Sequence, residues 1–76
     1  MKIKAEFIFP GELKEEAVIW YICKNFDIVL NILEASFSTE TGWAILILEG
    51  SNENIEKTFS YLSGKRIEIK NRQKIA

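Results

Sequence analysis

The chain has 76 residues, enough for one domain that buries roughly 60% of its unfolded surface, and so for a single modest core. Hydrophobic residues make up 47% and charged residues 28%, which excludes a disordered segment. Ten basic against eleven acidic side chains give a net charge of −1, so no broad positive field exists to gather nucleic acid or anionic lipid. The single cysteine, Cys23, and the lack of histidine exclude an internal disulfide and weaken any case for a metal centre. Alternating polar and apolar residues from Met1 to Glu6 do not make a signal peptide, and the apolar run 44–48 is too short to span a bilayer. The expected setting is a soluble protein of a reducing cytoplasm, without direct membrane insertion.

Ile3, Ala5, Phe7 and Phe9 alternate with Lys2, Lys4 and Glu6, the period-2 signature of a strand with one buried face, ended by Pro10-Gly11. From Glu12 to Phe26 the spacing becomes helical, with Val18, Ile22 and Phe26 in one stripe and Ile19 and Cys23 beside it. Glu12, Glu15 and Glu16 complement the dipole at its start and Lys24 at its end. Asp27 to Ser38 reads as a second strand, Thr39 to Gly42 as a four-residue turn, and Trp43 to Glu49 as a third strand. Ser51 or Asn52 caps a second helix whose stripe is Ile55, Phe59 and Leu62 and whose end is marked by Gly64. Residues 66–70 form a fourth strand, and residues 71–76 a short polar tail to a domain spanning 1–70. The order βαββαβ predicts a split βαβ α+β fold, a four-stranded antiparallel sheet with both helices on one face.

A four-residue turn places Ser38 opposite Trp43, and Leu33, Ala35, Phe37, Ala44, Leu46 and Leu48 beneath the helices. The opposite face then carries Ile32, Trp43, Ile45 and Ile47 with Glu34 and Glu49, more apolar than a solvated sheet face normally is. Trp43, Ile45 and Ile47 are therefore candidate interface residues, and a slip of one residue would exchange the faces. Trp20 and Tyr21 project away from the core stripe and are expected at its edge or in solvent. No histidine, activated nucleophile or convergent carboxylate pair supports an enzyme, and no cofactor or metal is implied.

Phe26-Asp27-Ile28-Val29-Leu30-Asn31-Ile32-Leu33, an aromatic ending a helix before a strand that reads Asn-Ile-Leu, resembles the NIL domain family. The resemblance covers almost the whole chain, through Phe7-Ile8-Phe9-Pro10-Gly11, Gly42, Leu48-Glu49-Gly50 and Ile67-Glu68-Ile69. It implies a ferredoxin-like fold similar in shape to amino-acid-sensing ACT domains, and a regulatory role in the ATPase subunit of bacterial methionine importers. There such domains pair and bind methionine, which holds the nucleotide-binding halves apart. The family's motif carries methionine binding over to Asn31, with Ile32 and Leu33 as the flanking motif positions. A side-chain amide offers donor and acceptor to a zwitterion. Strict alternation would put Asn31 under the helices, a costly place for an amide. A bulge nearby, or an edge position for the second strand, removes the conflict, and an edge would also let two copies pair.

No glycine-rich phosphate loop and no four-cysteine cluster occurs, so a transporter ATPase or a ferredoxin-type partner would have to supply those chemistries. Acylphosphatases share the layout but place an arginine after the first strand, where this chain has Pro10-Gly11-Glu12. RNA-binding sheets of the same layout use basic and paired aromatic residues that the third strand lacks. Two readings remain: a small-molecule-binding regulatory domain that senses methionine or a related amino acid at a homodimer boundary, or a protein-interaction module that uses the open sheet face without a ligand.

Overall fold

The computed structural model describes residues 1–10, 18–38 and 41–76. The elements are β1 (Lys2–Pro10), α1 (Val18–Asn25), β2 (Val29–Phe37), β3 (Thr41–Glu49), α2 (Asn52–Gly64) and β4 (Glu68–Lys74). The strands form one sheet in the order β2-β3-β1-β4, with every neighbouring pair antiparallel. The expected first helical turns and their glutamates, with Gly11, Thr39 and Glu40, lie outside the described residues.

One core explains why the helices share a face. Val18 and Ile22 of α1, Ile55, Phe59 and Leu62 of α2, and Ala5, Phe7, Ala44, Leu46 and Leu48 of the inner strands belong to a single buried cluster. These are the stripes that the helical and strand periodicities select. Phe7 packs on Phe59 with ring centroids 6.1 Å apart, tying β1 to α2. The buried Thr58 hydroxyl donates to the Asn54 carbonyl at 2.8 Å, so its presence in the core leaves no buried side-chain polar atom unpartnered among the described residues.

Helix α2 starts as its sequence predicts: Ser51 adopts an extended conformation, and its Oγ accepts from the Asn54 N–H at 3.1 Å. Its end differs. Gly64 is still helical, and the chain leaves through Arg66 at φ 65°, with the Ile67 N–H donating to the Leu62 carbonyl at 3.1 Å. The left-handed residue that closes the helix is thus two positions beyond the glycine, and reversal there delivers Ile67 to the core.

Residues 71–74, expected in a polar tail, continue β4. A bulge opposite the Lys4–Glu6 segment allows this, with Asn71 at φ 54°. Asn71 donates its amide to the Glu6 carboxylate at 3.3 Å, and the Arg72 guanidinium lies 4.1 Å over the Phe59 ring. The apolar alternation that reveals β1 and β3 is missing here, because β4 is an edge strand whose side chains are mostly exposed.

Truncating Phe59 to alanine should cost about 3–5 kcal/mol, and Ser51→Ala about 1 kcal/mol, in urea unfolding followed by circular dichroism. A larger effect of the cap than of the ring would contradict this account of the core.

Candidate functional site

The closure of Ser38 on Thr41 matches the register of β2 against β3. Ser38 and Thr41 face each other, the Ser38 N–H donating to the Thr41 carbonyl at 2.8 Å and its hydroxyl accepting from the Thr41 N–H at 3.2 Å. This closure is tighter than the four-residue turn read from sequence, so Ser36, not Ser38, stands opposite Trp43. A shift of two residues preserves the faces: Ala35 pairs with Ala44 and Phe37 with Gly42, both on the helix side. Gly42 is needed there, because a Cβ at this position would collide with the Phe37 ring, which packs on Phe9 at 5.6 Å.

Further along β2 the register shifts between Ile32 and Glu34, making Leu33 the extra residue of a β-bulge. The bulge reverses the faces of the preceding segment. Asn31 pairs with Ile47 and lies on the open face, whereas Ile32 pairs with the buried Leu46 and points to the helix side. Both corrections to strict alternation have one cause, and they spare the Asn31 amide the desolvation that burial under the helices would impose. Val29, Asn31, Glu34 and Ser36 thus share the open face with Trp43, Ile45 and Ile47.

The three motif residues sit together on an edge strand. From Val29 to Phe37 every residue except Leu30 is exposed, and Val29, Ile32, Leu33 and Phe37, at 52–60%, are four of the seven exposed large hydrophobic residues among the described residues. An edge strand also presents unpaired backbone donors and acceptors. The motif therefore combines an accessible amide, exposed apolar groups and a free strand edge. Trp43, Ile45 and Ile47 are only half-buried, flanked on β1 by Ile8, Glu6 and Lys4.

The off-stripe aromatics form a different feature. Tyr21 stacks on Tyr61 with centroids 4.7 Å apart, and Phe26 lies against both, so these rings close the rim of the core between the helices. Trp20 is 60% exposed, with the Lys24 ammonium 4.5 Å from its ring centroid. Burial pushes the Cys23 thiol up, away from the thiolate that nucleophilic chemistry needs. Among the described residues no group of three or more histidine, cysteine, aspartate or glutamate side chains could hold a metal, and no helix is long and apolar enough to cross a membrane.

An antiparallel sheet in the order β2-β3-β1-β4 under two helices defines a ferredoxin-like α+β domain. Solved structures share it. The C-terminal domain of an ABC transporter ATP-binding protein from Enterococcus faecalis matches with a TM-score of 0.75 at 20% identity, covering 88% of this chain and 79% of that one. The de novo designed protein Foldit4 matches with a TM-score of 0.59 at 11% identity, covering 99% and 97%. Among curated proteins none matches. The chain belongs to the NIL domain family, whose model matches residues 5–71.

The exposure of Asn31 yields a prediction about stability. Asn31→Ala should change the unfolding free energy by no more than about 0.5 kcal/mol, as surface substitutions do, when measured by urea denaturation. A loss of several kcal/mol would mean that the amide holds the fold together.

Proposed function

We propose that this domain is a regulatory sensor of methionine or a related amino acid, bound beside Asn31 at a boundary between two copies paired along β2. Family membership supports a regulatory role, and the likeness to an ABC transporter ATP-binding protein's C-terminal domain supports a connection with transport. The observation that carries the reading is the accessible Asn31 amide on an edge strand, with Val29 beside it on the open face, Ile32 exposed on the helix side and Leu33 exposed at the bulge. An amide can donate to the carboxylate of an amino acid and accept from its ammonium, while the aliphatic neighbours suit a thioether side chain. Because β2 is exposed in one copy, a second copy against this edge is what would enclose a small ligand.

Such a sensor acts by differential binding: a ligand that prefers one arrangement of the paired domains shifts the population toward it. The element so controlled belongs to another domain, a transporter ATPase or a ferredoxin-type partner. Docking of a protein on Trp43, Ile45 and Ile47 without any ligand is the competing reading, favoured by the half-buried apolar stripe along β3.

Calorimetric and thermal-shift titration with methionine, its analogues and other amino acids separates the two. Methionine at 100 times its Kd should stabilise the domain by about 2.7 kcal/mol. Asn31→Ala should remove that gain while leaving the unliganded protein folded. Absence of any shift at millimolar amino acid, with pairing confirmed by sedimentation, would overturn the sensor reading.

A further inference from the structure

The open face of the sheet is complementary to itself. Its rungs follow from the registers: Asn31, Ile47 and Lys4 lie across β2, β3 and β1, and the next rung holds Glu34, Ile45 and Glu6. We infer that this face stacks on the same face of a second copy, about a two-fold axis that runs perpendicular to the strands between those two rungs. Each strand then lies over its own counterpart running the opposite way. Lys4 meets Glu6 of the second copy, Asn31 meets Glu34, and Ile47 meets Ile45. One rung further out, Trp43 comes over Glu49, whose carboxylate accepts from the indole N–H.

Charge selects this operator over the alternatives. An axis through the Ile45 rung sets Glu6 on Glu6 and Glu34 on Glu34. An axis along β3 sets Glu6 over Glu34, and one between β3 and β1 sets Glu6 over Ile45. Among these axes, the one between the rungs gives Lys4, Glu6, Asn31 and Glu34 each a favourable partner while joining the apolar stripe to itself, as an isologous contact requires, and the other charges of the face, Lys2 with Glu49 and Lys70 with Glu68, are paired within the chain.

The area is sufficient. Three strands of nine residues and one of seven at about 3.3 Å per residue, about 4.8 Å apart, give a face of at most roughly 30 by 19 Å. Stacking would bury on the order of 1,100 Å² in total, just under the standard range of about 1,200–2,000 Å² and above the roughly 1,000 Å² that a biological interface needs. The pairing does not rest on the ligand reading, since it leaves the β2 edge free.

Sedimentation velocity on the amino-acid-free domain, with Lys4→Glu, Glu6→Lys and the double exchange, tests it. Trp20→Phe makes Trp43 the sole indole, and its emission reports the face directly, because edge pairing along β2 leaves Trp43 as it is in one copy. Each single exchange puts like charges together and should weaken association at least tenfold. The double exchange should restore it, together with a concentration-dependent blue shift of Trp43. Association that the single exchanges leave unchanged, that the double exchange fails to recover, or that proceeds without a Trp43 shift would overturn the proposal, as would a monomer at about 100 μM.

Discussion

Ala44, Leu46 and Leu48 of β3 are almost wholly removed from water, because β3 lies inside the sheet and both helices press on the same side of it. The remaining architecture depends on this one-sided core. Among the described residues two helices cover four strands, and the buried strand positions concentrate on β1 and β3. The open face of the sheet and nearly all of β2 are left to solvent. Those are the surfaces on which a partner or ligand can act, and they exist because the core is too small to reach them.

Within that constraint the Leu33 bulge decides what β2 presents. Without the extra residue, Asn31 would pair on the helix side and Ile32 on the open side; with it, the amide faces outward beside Ile47 and the isoleucine turns toward the core layer. The opposite edge is built differently. On β4 the bulge at Asn71 and the exposed Lys70, Arg72 and Lys74 make a charged, irregular border, a common way to discourage strand addition. The two edges are unequal, and the apolar, motif-bearing one is β2.

Much of this is legible in the sequence where burial is strong. The period-2 alternation of Ile3 to Phe9, the helical stripe of Ile55, Phe59 and Leu62, and the Ser51 cap each follow from local physics that the core reinforces. Where burial fades, local reading loses its signal. β4 past Lys70 has no apolar alternation, and Arg66 takes a left-handed conformation that Gly64 would have adopted more cheaply. On β2 the residues of a bulge look like those of an ordinary strand, so simple alternation misplaces Asn31 and Ile32, although the cost of burying the Asn31 amide points to the irregularity. The candidate interface residues Trp43, Ile45 and Ile47 fall on the expected face because the pairing differs from the expected one by two residues, which preserves parity.

The most direct test of the central claim, that β2 around Asn31 is where this domain takes its ligand, is amide hydrogen exchange with and without saturating methionine. Protection gained across residues 29–37, with α2 unchanged, is the predicted result. Binding accompanied by protection confined to α1 and α2, with none along β2, would place the site elsewhere and contradict the account.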